Sequence, residues 1–221
     1  KITNLQKNDI EQFYKFNRIV FPERKNIVEI INFWFSKTND EYLLSKILYG
    51  DSNEILGEIL QSSMEYFYQN SICKACWIFD YIVREDIRKE GYGIDLMEEV
   101  LKNKDEVPIF ATGSGPLALK IELKMGFKLI GELKKYITII NPLYSLTSFF
   151  RKNIPLNKFP QNIKVKNQIF SLINEKNVPE LLQPFNQDLV EIGRNKEFLN
   201  WRFFSNLHNY AFYLKEDGND Y

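Results

Sequence analysis

Apolar residues recur along the chain with two different periods, and the switch from one to the other sketches the order of elements. From Asp9 to Val20 the positions Ile10, Phe13, Tyr14, Phe16 and Val20 return at helical spacing, with Asp9 placed as an N-cap. Pro22 interrupts that helix. Asn26–Ser36 predicts a second helix, with Ile27, Ile30, Ile31 and Trp34 along one side. The period then shortens. Ser45–Gly50 predicts a strand, Asp51–Glu54 a turn, and Ile55–Leu60 the returning strand of a hairpin. The aromatic stretch Ser63–Asn70 fits either an extension of that strand or a loop.

The segment Lys74–Val83 carries the strongest strand pattern in the chain. It runs directly into Arg84–Gly93, and a helix follows to about Lys102, with Ile94, Met97, Val100 and Leu101 on its apolar face. Val107–Ala111 reads as a short strand and Gly113–Pro116 as a loop, with Pro116 suited to a first helical turn. Leu117–Met125 is a short helix that Gly126 ends. Phe127–Ile130 and Glu132–Ile140 read as two more strands. The order is helices, hairpin, strand, helix, strand, helix and strands, a mixed α/β layout. Asn141–Asn162, with Pro142, Pro155 and Pro160, reads as a linker. Beyond it the pattern predicts helices over Ile163–Asn174 and Pro179–Phe185 and a last strand over Tyr210–Leu214.

Composition narrows the function classes. The 221 residues are 44% hydrophobic and 15% aromatic, enough for a sizeable core. The 29 basic and 29 acidic residues cancel, so no general electrostatic footprint for nucleic acid or an anionic membrane is present. No run approaches the roughly 18 apolar residues of a membrane span, and no signal peptide is visible. Cys73 and Cys76 form a C-x-x-C spacing. A zinc site wants four N/S ligands, and the one histidine, His208, is far away. The pair also sits within a strand pattern, not at a helix start. It reads as two reduced thiols in a cytoplasmic protein, with no metal expected.

The chemistry concentrates in Arg88-Lys89-Glu90-Gly91-Tyr92-Gly93, between a hydrophobic strand and an amphipathic helix. Two glycines remove side chains where the chain turns. Backbone N–H groups at the helix start are then free to meet an anion, aided by the helix dipole and by Arg88 and Lys89. A pyrophosphate suits that arrangement, although glycine at such a turn is often only a backbone requirement.

The stretch Ile82–Leu96 resembles the motif-A region of the GNAT superfamily of N-acetyltransferases: a hydrophobic strand, a short connection, Arg-x-x-Gly-x-Gly and a helix. A second likeness follows, Ala118 to Met125-Gly126-Phe127, resembling the family's helix that ends in Gly-Phe. The resemblance covers about residues 1–141. It implies the acyl-CoA N-acyltransferase fold, with a mixed, mostly antiparallel central sheet and helices on both faces. It implies that strand Cys76–Val83 splays from strand Val107–Ala111. The backbone at Tyr81, Ile82 and Val83 would then bond the pantetheine arm of acetyl-CoA or another acyl-CoA. Arg88, Lys89, Glu90, Gly91, Tyr92, Gly93 and Ile94 would cradle the pyrophosphate. An amine of a small acceptor would attack the thioester, with a base removing its proton. The positions that carry Asn and the thiolate-protonating Tyr in many relatives hold Gly115 and Glu122. A carboxyl near pKa 4.3 is poorly matched to a thiol near 8.5, both about, so Glu122 reads first as a solvated helix residue. By location Asp80, Glu58 and Glu85 are candidate bases, and Tyr81 and Tyr136 candidate replacement acids.

Trp34, Asn39 and Tyr42 before the first hairpin find an echo in Trp201, Asn206 and Tyr210 before the last strand. Glu197–Tyr213 also resembles the start of the second half of tandem GNAT proteins. Residues 163–221 are therefore expected to be a partial second repeat or a helical extension, joined through a linker at 142–162. The leading expectation is acyl transfer to an amine. A degenerate CoA-binding or scaffolding domain is the alternative. An aminoacyl-tRNA-dependent transferase is a third reading, opposed by the neutral composition.

Overall fold

The computed structural model describes residues 1–35, 44–69, 71–102, 107–131, 159–165, 168–178, 180–182, 191–204 and 212–215. The chain divides into two units, Lys1–Leu133 and Lys134–Tyr221.

The first unit opens with β1 (Ile2–Asn4), α1 (Ile10–Val20) and α2 (Ile27–Phe35). There follow β2 (Lys46–Tyr49), β3 (Ile55–Tyr68), β4 (Ser71–Val83), α3 (Tyr92–Leu101), β5 (Ile109–Ala111) and α4 (Pro116–Lys124). The strands lie in the order β1-β2-β3-β4-β5. All pairings are antiparallel except β4 with β5, which is parallel. The aromatic stretch after Leu60 extends β3 and does not form a loop.

Neighbouring residues on the strands go to opposite faces, as the period of two requires. Ile47 and Leu60 join Phe13, Phe16, Ile27 and Ile31 of α1 and α2 in one core. Leu48 and Ile59 join Leu96, Met97 and Val100 of α3 in another. Helices thus cover both faces, and each fully buried side chain such as Phe13 or Leu96 contributes about 2 kcal/mol. Asp9 does not cap α1. Its carboxylate instead accepts a 2.6 Å hydrogen bond from the Tyr49 hydroxyl on β2. Burial and the Asp9 charge push the Tyr49 hydroxyl pKa up.

Gly126 ends α4 as expected. At φ +95° it takes the left-handed position, while Phe127 N–H donates to Glu122 O and Gly126 N–H to Leu123 O. Phe127–Ile130 is not a strand. Leu129 and Ile130 are 62% and 84% exposed, so this stretch buries too little apolar surface to hold a strand register. The expected strand Glu132–Ile140 and most of the linker lie outside the described residues.

In the second unit the expected helix Ile163–Asn174 is instead a hairpin, β6 (Asn162–Val165) with β7 (Gln168–Ile173). Ile163 and Val165, then Ile169 and Ile173, recur at even spacing, and β-branched residues favour the strand. Leu181–Leu182 (β8) pairs as a strand with Arg194–Asn195 (β10), so these residues of the expected helix Pro179–Phe185 are not helical. Between them in sequence is the short strand β9 (Glu191–Ile192). A helix that the sequence pattern did not predict, α5 (Lys196–Phe204), starts where Asn195 Oδ1 accepts from Phe198 N–H at 2.8 Å. The final strand, β11 (Phe212–Lys215), pairs antiparallel with β7. Among the described residues no helix is long and apolar enough to cross a membrane.

Candidate active site

The site begins with the way β4 leaves its neighbours. Its parallel pairing with β5 covers Cys76, Trp77 and Ile78, opposite Ile109, Phe110 and Ala111. On the other edge β3 stays paired through Gly57↔Val83. From Phe79 to Val83 the edge away from β3 therefore has no strand partner among the described residues. An unpaired strand edge presents N–H and C=O groups to any extended polar chain laid beside it.

A bulge marks the same point. Leu60 pairs with Asp80 and Gln61 with Ile78, leaving Phe79 as the extra residue. Phe79 and Asp80 consequently both meet the α1–α2 side. The Phe79 ring stacks on Trp34 of α2 at 4.4 Å and 11°, with Phe35 edge-on to Phe79 and Trp77 edge-on to Trp34. Asp80 accepts two hydrogen bonds from Arg24, at 2.7 and 2.8 Å, in the loop between α1 and α2. Arg24 also lies over the Phe21 ring, 3.6 Å from its centroid. The Asp80 bond raises the Arg24 pKa further.

Behind this pair Glu58 is fully buried. Its Oε2 accepts from Asn17 Nδ2 at 2.8 Å, and its Oε1 has no hydrogen-bond partner among the described residues. Burial, reinforced by the Asp80 charge, pushes its pKa well above the ordinary carboxylate value. Burial thus favours the protonated form of Glu58. The two carboxyls share one face, but Asp80 is held by the Arg24 guanidinium while Glu58 is desolvated.

Past Val83 the chain makes a 3-10 turn, Glu85–Glu90, into α3. Arg84 N–H donates to Leu56 O, and Arg84 pairs with Asp86. Arg88 folds back so that its Nε donates to Val83 O at 2.9 Å. Glu85, Arg88, Lys89 and Glu90 are exposed. Gly91 sits at φ +89° with open space where a Cβ would stand, so its requirement is conformational. Gly93 is needed for space: a Cβ there would lie 2.9 Å from the Tyr81 oxygen. The first-turn N–H groups at Tyr92 and Gly93 lack helical acceptors by geometry, and the helix start carries partial positive charge.

Tyr81 ties strand to helix. Its hydroxyl donates to Gly93 O at 2.6 Å. Burial, with the Glu122 charge nearby, pushes its pKa up and keeps it protonated. Glu122 is not solvated: it is 4% exposed on α4, and Ser114 Oγ donates to its Oε1 at 2.8 Å. Cys76 is buried and donates to Gln61 Oε1, while both cysteines are free thiols on β4. Tyr136 lies outside the described residues.

The sequence singled out Tyr81–Ile94 and Asp80 but missed Arg24 and Asn17. No local pattern marks them. Their partners are 56 and 41 residues away in the chain.

No family model matches the chain, and no curated protein matches it. Solved structures do. A predicted acetyltransferase with acetyl-CoA from Clostridium acetobutylicum matches with a TM-score of 0.50 at 14% identity, over 62% of this chain and 95% of that one. An acetyltransferase of Trypanosoma brucei gives 0.48 at 14%, over 62% and 99%. Arabidopsis thaliana Naa50 in complex with a bisubstrate analogue gives 0.47 at 19%, over 64% and 91%. The chain contains the acyl-CoA N-acyltransferase fold, as the mixed sheet with helices on both faces requires.

Proposed function

We propose that the first unit transfers an acyl group from acetyl-CoA or another acyl-CoA to an amine of a small acceptor. The observation that carries this reading is the edge of β4 at Phe79–Val83. It loses its partner strand and leads, through the 3-10 turn Glu85–Glu90, into a glycine-containing helix start. The backbone of Tyr81, Ile82 and Val83 would bond the pantetheine amides. Tyr92 and Gly93 N–H groups, with Arg88 and Lys89, would hold the pyrophosphate, and Glu90, Gly91 and Ile94 shape that turn. Acyl-CoA supplies the activated thioester. The acceptor nitrogen forms the new C–N bond, the C–S bond breaks, and the proton that the nitrogen loses on becoming an amide leaves with CoA as its thiol. Asp80 is the candidate to take the ammonium proton before attack, oriented by two hydrogen bonds from Arg24. Glu58 carries a proton already and is unsuited to that task at neutral pH. Glu85 is exposed in the turn beyond Val83.

A second reading, a CoA-binding unit without turnover, is favoured by Glu122 and Gly115 at the positions where related enzymes carry Tyr and Asn. Tyr81, one candidate replacement acid, is committed to Gly93 O, and the other, Tyr136, lies outside the described residues. Residues 163–221 are read as a second, partial repeat. In each unit a strand pairs antiparallel with one that follows a helix, β1 with β2 after α1 and α2, and β7 with β11 after β8, β9, β10 and α5.

Isothermal titration with CoA and acetyl-CoA tests the binding step. Lys89→Glu is the control, because Lys89 is exposed and its replacement disturbs no packing. Gly93→Asp would strike the Tyr81 oxygen and confound folding with binding. Micromolar binding that weakens severalfold in Lys89→Glu and with added salt supports the reading. A folded protein that ignores both ligands rejects it. Binding without thiol release across a panel of primary amines favours the silent unit.

A further inference from the structure

A cleft of about 890 Å³ lies in the first unit beside β5 and α4. Its polar residues include Thr112, Ser114 and Glu122. Thr112 and Ser114 directly follow Ala111, the last β5 residue paired with β4. That is the place where a thioester would emerge under the proposed function, on which this inference rests. From there the cleft continues past Leu119 and Leu123 of α4 to Ile109, Leu101, Met125 and Phe127. An acetyl group needs far less room than this. At roughly the 30 Å³ a water molecule occupies in the liquid, which is close to one methylene, even half the cleft would hold a chain of several carbons. The lining is that of a ligand pocket, mostly apolar walls with a few polar groups, Lys128 beside Phe127 among them.

We infer that this cleft is an acyl-chain subsite, and that the donor is a medium- or long-chain acyl-CoA whose carbonyl lies by Thr112–Ser114 and whose tail runs along α4 towards Leu101. Three features fit an apolar tail better than a polar acceptor. The acidic residue of the described lining, Glu122, is already engaged by Ser114. Leu123 on the wall is 46% exposed and Leu129 is 62% exposed, an apolar surface that a tail would cover. The charged groups of the candidate acceptor side, Arg24 and Asp80, lie on the α1–α2 side of the sheet, whereas Ile109, Ile121 and Met125 pack with the α3 core.

The test is a titration series with CoA, acetyl-CoA, butyryl-CoA, octanoyl-CoA and, below its micellar concentration, lauroyl-CoA. Each added methylene buried in the cleft should tighten binding by about threefold to fourfold until the cleft is full. In Leu123→Glu, a change at an exposed position that spares the core, the octanoyl-to-acetyl affinity ratio should collapse towards one. Leu119→Trp, which fills the cleft, should do the same. Equal affinity for acetyl-CoA and octanoyl-CoA in the wild type overturns the inference, as does a chain-length preference that both variants leave intact. Loss of binding to CoA itself would overturn the acyl-CoA reading, and the subsite with it. Binding of CoA with no chain-length dependence removes the subsite alone.

Discussion

Arg24 and Asp80 stand 56 residues apart in sequence and meet through two hydrogen bonds of 2.7 and 2.8 Å. The pair fastens the loop between α1 and α2 to β4 at the residue that follows the bulge. Both side chains are largely buried, with 26% and 12% exposure. Removing either one strands its partner. Asp80→Ala should cost about 2 kcal/mol of stability, measured by urea unfolding. Arg24→Lys should lose part of this, because a point-like ammonium cannot reproduce the fork. Full stability in Asp80→Ala would show that the pair is replaceable by water.

Glu58 gives a pH signature of opposite sign to most carboxylates. Its folded pKa is raised, so the folded state holds a proton that the unfolded chain releases near the ordinary value of 4.5. Stability from this group is complete below that value and is lost as pH rises towards the folded pKa. Glu58→Gln mimics the neutral acid and can still accept from Asn17. Between pH 5 and 8, about, the variant should lose less stability than the wild type on raising pH. Parallel melting curves across that range would contradict a neutral Glu58.

Gly93 and Tyr81 should be coupled. Gly93→Ala forces the Tyr81 oxygen away and breaks its 2.6 Å bond to Gly93 O. Tyr81→Phe alone should cost about 1 kcal/mol. In the Phe background Gly93→Ala should become nearly neutral or stabilising, since alanine is the better helix former. Additive effects in a double-mutant cycle would remove the contact from consideration. Gly91→Ala is a separate case: at φ +89° it should cost about 1–2 kcal/mol whatever stands at 81.

Trp34 holds the bulged residue. Its ring is stacked on Phe79 and meets Trp77 and Phe33 edge-on. Trp34→Ala should destabilise by about 3 kcal/mol. It should also weaken amine turnover more than CoA binding, because Phe79 and Asp80 share the bulge while the helix-start turn lies beyond Val83. Equal losses in both would place the effect in global folding.

The sequence alone determined the strand Lys74–Val83, the turn through Gly91 and Gly93, the helix after it, and the Gly126 stop. Each rests on periodicity or on a backbone conformation open to few residue types, and both are local properties. Local pattern also put Asp80 and Glu122 on the right elements. It did not say that Glu122 faces inward, that Asp80 meets Arg24 or that Glu58 is buried. Those states depend on which distant groups close over each carboxyl: Ser114 for one, Arg24 for the next, and Asn17 with the α1 core for the last. The bulge at Phe79 likewise appears only once β3 fixes the register of β4. In 163–173 a hairpin stands where the apolar pattern predicts a helix, because strand pairing stabilises a segment through a partner that no local window contains.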